Sequence, residues 1–193
     1  MRLHYKGEYD SNPASLPHGE HVPGAVKFKE AETSKELLIT TSILAIAIII
    51  IMTVISVIRL GRFPLNGSIQ SILGSFCSVL VLFPHEILHA ICFKEDVYLY
   101  TNWNQCMMFV VGPETMSKSR FIFMSLLPNI ILGIVPYILG MIFPDFTFGL
   151  VLGIFAASMG AGDYYNVYNA LTQMPKGSRT YLYQFNSYWY MPK

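Results

Sequence analysis

His85, Glu86 and His89 lie in "FPHEILHAICF", residues 83 to 93, inside an otherwise apolar run. They spell H-E-x-x-H. On a helix, positions i and i+4 share a face, so both imidazoles can be turned to one metal ion. Glu86 falls one residue round and reaches a water at the ion rather than the ion itself. Zinc lowers the pKa of that water towards about 7, and a nearby carboxylate can then take its proton. The chemistry this predicts is hydroxide attack on a peptide carbonyl. In a soluble helix the same pattern often marks two surface histidines and a salt-bridging glutamate. In an apolar run, ionisable groups usually serve a site and have partners.

The elements that must hold these residues are apolar. Hydrophobic residues make up 53% of the 193 and charged residues only 13%. That charged share is about half of what a soluble domain carries. The net charge of +1 argues against a nucleic-acid partner. Four stretches, roughly 37–60, 69–93, 120–143 and 147–169, are long enough to cross a bilayer as helices. The expected fold is therefore an all-α integral membrane protein with about four transmembrane helices. A polar tail, 1–36, precedes a membrane domain, 37–170, and an aromatic tail, 171–193, follows it. No apolar segment follows a short basic start, so no cleavable signal peptide is expected.

Four crossings would put both termini and the 94–119 loop on one side. Of the thirteen Lys and Arg, only Arg59 and Arg62 fall on the other. Such an excess marks the cytoplasmic face, so a multi-pass cell-membrane protein with cytoplasmic termini and metal site is expected. Within the loop, "VYLYTNWNQCMMFVV" reads as a β-hairpin at about 97–111, near the membrane surface. The tail "RTYLYQFNSYWYMPK" reads as an interfacial anchor, with a further strand near the site as the alternative.

A catalytic zinc takes three protein ligands and keeps one open position. No histidine follows His89 and no glutamate follows Glu114, which leaves Asp145 and Asp163. Asp145 would lie at the opposite membrane face from the histidines, about 30 Å away. Asp163 would lie at nearly the same depth, because spans two and four start from the same side and rise equally. Gly149, Gly153, Ala156 and Gly160 form a small-residue stripe on one face of that fourth helix, ending at Asp163. Such a stripe allows close helix approach. His85, His89 and Asp163 are thus the expected metal ligands and Glu86 the expected base.

Asn129 falls near the same depth in the third span, within "SLLPNIILGIVPY". Pro128 and Pro136 each free a backbone carbonyl there. The Asn129 amide could hold a substrate carbonyl or bond a group in its own bundle. Cys77, Cys92 and Cys106 show no CxxC spacing and read as small buried side chains. His18 and His21 in "PHGEHVPG" read as loop residues, with a weak metal site as the alternative.

"HEILHA" in one membrane helix and "GAGDYYN" in a later one resemble intramembrane metalloproteases of the site-2 protease type. More closely, the whole chain resembles a small bacterial family described as "putative zincin peptidases". The resemblance implies zinc on His85, His89 and Asp163, with Glu86 activating water. One departure is that site-2 proteases carry "LDG" at the aspartate, where this chain has "AGDYYN". The expected function is zinc-dependent hydrolysis of peptide bonds in a membrane or membrane-adjacent substrate, with the bilayer and that substrate as partners and Asn129 as a substrate contact. The rivals are a non-enzymatic zinc-binding adaptor or sensor, and a metal or proton transporter.

Overall fold

Thr33 starts the first long helix. Its side chain accepts the backbone N–H of Glu36, whose charge suits the first turn. The apolar run then carries α1, Ser34–Leu60, as far as Gly61. Gly61 has φ 65°, a left-handed conformation glycine takes at no steric cost, and its N–H returns to Val57 O at 2.8 Å. The computed structural model describes residues 1–103 and 107–192. The chain divides into two units, which are described separately.

One unit, Thr33–His85 and Leu126–Tyr165, is helical. After α1 comes α2, Ile69–Leu80, capped by the Ser68 side chain. It meets α3, Leu82–Ala90, at a bend of 44°. Pro84 has no N–H for the Leu80 carbonyl, which accounts for a bend at this point. The next long helix is α4, Lys118–Pro128, continued by a π turn, Asn129–Ile134, and by α5, Val135–Ile142. Pro128 and Pro136 bracket the π turn. Each withholds an i→i−4 bond, and the wider bond from Val135 N–H to Ile130 O takes over between them.

α6, Thr147–Met159, packs against α1, α2, α5 and the π turn. Glycines make this approach possible. A Cβ on Gly153 would lie 2.5 Å from Tyr137 N and 2.6 Å from Gly133 O, and one on Gly140 would lie 2.6 Å from Leu150 N. Met52, Tyr137, Leu150, Ile154 and Ala157 form the core of this unit. Tyr137 also donates its hydroxyl to Met52 O at 2.9 Å, a hydrogen bond between α1 and α5. On the outside, α1 presents bare isoleucines, with Ile58 80% exposed. The final helix, α7, Ala161–Gln173, begins directly after Gly160.

The other unit, Met1–Glu32, Glu86–Ser125 and Asn166–Lys193, contains two sheets. β1, Leu3–Glu8, runs parallel to β3, Val97–Asn102, and β3 pairs antiparallel with β4, Met107–Val111. β4 is thus an edge strand. The second sheet has the order β2-β7-β6-β5, from Val26–Lys27, Asn186–Tyr190, Arg179–Tyr183 and Met116–Ser117. β6 and β7 form a two-residue hairpin, with Gln184 at φ 54°. Phe28, Ala170 and Met174 form a core cluster. Gln173 holds both backbone groups of Lys29, at 2.7 and 3.1 Å.

Two expectations are corrected. The protein is not all-α, because among the described residues seven strands form two sheets. The 1–36 stretch supplies β1 and β2, and the 171–193 stretch supplies β6 and β7. Nor, among the described residues, are there four helices long and apolar enough to cross a membrane. Ser34–Leu60 and Lys118–Ile142 are long and apolar enough to cross a membrane, and α2 with α3 makes a third only if the bent pair counts as one. The supposed fourth span breaks at Gly160. Its apolar part, α6, has 13 residues, about 20 Å at ~1.5 Å per residue, short of the ~30 Å hydrocarbon core. α6 is apolar because it is buried in protein, with Leu150, Val151 and Ala157 at most 1% exposed.

Candidate metal centre

α3 carries His85, Glu86 and His89, each 6% exposed. The ligand-type atoms of the three lie within 4.8 Å of one another, the only such group of three or more among the described residues. His18 and His21 are not part of it. His21 Nδ1 meets the Tyr181 hydroxyl at 3.0 Å and its ring packs among Tyr183 and Tyr188. Cys77 and Cys92 are free and partly buried, whereas Cys106 lies outside the described residues.

In the helical unit, His85 Nε2 lies 3.0 Å from Asp163 Oδ2. The Asn129 side-chain amide donates to the same oxygen at 2.8 Å. Asp163 occupies the first turn of α7, where its N–H meets Gly160 O at 2.9 Å. Gly160 also makes room for Asn129, since a Cβ there would fall 1.5 Å from Asn129 Oδ1. The small-residue stripe therefore ends where a buried amide, 1% exposed, crosses it. The depth argument for Asp163 assumed a four-span fold that is not observed. The structure nonetheless brings Asp163, His85 and Asn129 together, while Asp145 is exposed in the turn before α6.

In the sheet-containing unit, Glu86 Oε2 accepts the Val110 N–H at 3.0 Å. His89 Nδ1 lies 3.0 Å from Met124 O in α4. A carbonyl only accepts, so Nδ1 carries the proton, and in a neutral imidazole Nε2 then carries the lone pair. Just beyond α3, Arg120 donates to Cys92 O through Nε at 3.0 Å and pairs with Glu114. Burial pushes the Glu114 carboxyl up, but Arg120 and the amides of Lys94 and Glu95 outweigh it and hold the group below its usual value. Val110, Met124, Arg120 and Glu114 carry no motif, and sequence reading did not find them.

The donor set suits zinc. His85 and His89 supply two imidazoles from one helix, with the Glu86 carboxylate within 4.8 Å of them. Two donors bound at about 2.0–2.2 Å to one tetrahedral ion stand roughly 3.3 Å apart. His85 Nε2 and Asp163 Oδ2 stand 3.0 Å apart, at hydrogen-bond distance and a few tenths of an ångström short of that spacing. Carbonyls and amides commonly orient the groups that ligate such ions, and His89 and Asp163 each have a neighbour of this kind.

His85, Glu86 and His89 on one helix fit the H-E-x-x-H pattern that zinc metallopeptidases use. The model of the family described as "Putative zincin peptidase" matches residues 78–179, more than half of the chain, and the protein belongs to that family. Membership implies zinc as the cofactor. The match covers α3, the sheet strands β3 to β5, α4 to α7 and the start of β6. No curated protein and no solved structure matches the chain.

Gly160→Ala tests the Asn129 contact. The added methyl cannot coexist with the present Asn129 amide, so the hydrogen bond to Asp163 is lost. Zinc affinity is expected to fall about 10- to 100-fold, the usual cost of removing a group that orients a ligand. Competition with a chromophoric chelator measures it.

Proposed function

We propose that the protein is a membrane-embedded zinc peptidase that cleaves an extended segment of a membrane or membrane-adjacent protein. The observation that carries this reading is the contact of His85, first residue of the H-E-x-x-H helix, with Asp163 at 3.0 Å. Zinc would be held by His85, His89 and Asp163, and when bound it supplies Lewis-acid polarisation of the scissile carbonyl and acidifies the attacking water. Glu86 takes the proton from that water and passes it to the leaving amine. The Val110 N–H holds one carboxylate oxygen of Glu86 and so aims the other. Asn129 orients Asp163 through its amide.

β4 supports a peptide as the substrate class. It is the outer strand of its sheet, and the Val110 N–H on its free side already faces a carboxylate of the motif. A segment paired along that edge would be extended, with its peptide bonds exposed as hydrolysis requires. The bare isoleucines of α1 and the two long apolar helices support membrane embedding. The distribution of Lys and Arg supports a metal site towards the cytoplasm.

Metal removal tests the reading. Dialysis against a strong chelator is expected to abolish cleavage, and one equivalent of zinc is expected to restore it. Cleavage that continues unchanged in metal-free protein would contradict the proposal.

A further inference from the structure

We propose that Pro128 is a positioning residue for the metal centre, acting through the carbonyl of Met124. In a regular helix the C=O of residue 124 accepts the N–H of residue 128. Position 128 is proline, which has no N–H, so Met124 O lacks its i+4 donor. The His89 ring fills that place, with Nδ1 at 3.0 Å. Because the acceptor brings no proton, this contact selects the Nδ1–H tautomer and leaves the Nε2 lone pair for a metal. Pro128 is fully buried and sits inside a continuous apolar helix, a place where proline persists only if the freed backbone group finds another partner. His89 is that partner. One omitted hydrogen-bond donor in α4 would thus decide which ring nitrogen of His89 carries the proton. The metal part of this inference rests on the zinc reading above, whereas the tautomer part does not.

The test uses full-length protein in detergent micelles. Pro128→Ala restores an N–H that competes with His89 for Met124 O. Pro136→Ala makes the same change one π turn further on, where the freed carbonyl belongs to Leu132, and serves as the control. Three quantities are read: zinc affinity by chelator competition, the His89 tautomer by nitrogen-15 histidine NMR on metal-free protein at pH 8, and the thermal midpoint of metal-free protein. Pro128→Ala is expected to weaken zinc binding about 10- to 100-fold and to give a mixture of His89 tautomers. Its metal-free midpoint should hold or rise, since a helix-breaking residue has been removed. Pro136→Ala should bind zinc as wild type does. A merely structural role predicts the opposite pairing, with zinc loss only alongside a lower midpoint, and that result would overturn the proposal. So would an unchanged affinity or an unchanged tautomer in Pro128→Ala. If wild-type protein takes up no zinc, the zinc reading fails, and the NMR measurement still decides whether Pro128 governs the His89 ring.

Discussion

Asp163→Ala is expected to lower zinc affinity by more than about 100-fold, beyond the 10- to 100-fold typical of groups that only orient a ligand. The argument starts from charge. Two neutral imidazoles leave a divalent cation uncompensated in a buried site, and Asp163 is the carboxylate in contact with His85. In the proposed site, alanine removes a ligand and the negative charge together. It also removes the acceptor of the Asn129 amide hydrogen bond to Asp163 Oδ2. Asp163→Asn is the informative companion, since it keeps the shape and one oxygen but loses the charge. It should retain more zinc than alanine and far less than wild type. Asp145→Ala, in an exposed turn, should leave zinc binding unchanged. Metal analysis of purified protein after dialysis against zinc-buffered solutions reads all three.

The chemistry was more legible in the sequence than the fold. H-E-x-x-H needs only the helical repeat to put its side chains on one face, and α3 supplies that repeat. Few acids follow the motif, which left Asp145 and Asp163 as candidates, and the choice between them rested on a four-span depth argument that the fold does not support. The strands were harder to see. β1 is six residues long and pairs with β3 more than ninety positions away, and nothing local to residues 3–8 announces that partner. The apolar run from 147 misled for a different reason. A helix buried in protein and one bathed in lipid use the same residues, and only the packing around α6 tells them apart. Pro128 shows in the sequence that a backbone carbonyl is freed, but neither Met124 as a contact of the site nor the His89 ring that meets it. The Val110 N–H belongs to the backbone, which no side-chain pattern encodes.

Glu86→Gln is expected to slow hydrolysis by about 10²- to 10⁴-fold, the usual cost of losing a general base. The amide keeps the size of the side chain, and its oxygen can still accept the Val110 N–H. Fold and zinc content should therefore stay at wild-type levels. What is lost is the ability to take a proton from water and return it to the amine. The rival readings part here. An adaptor that binds zinc has no use for proton transfer and should tolerate the change. A transporter should show altered ion flux with no shortened membrane protein. The most direct measurement is a comparison of protein N termini in membranes of cells carrying wild-type or Glu86→Gln protein, with zinc content checked in both. Peptidase activity predicts a set of new N termini that appear with wild type and vanish with Glu86→Gln. Identical N termini in the two membranes, with zinc bound equally in both proteins, would contradict it.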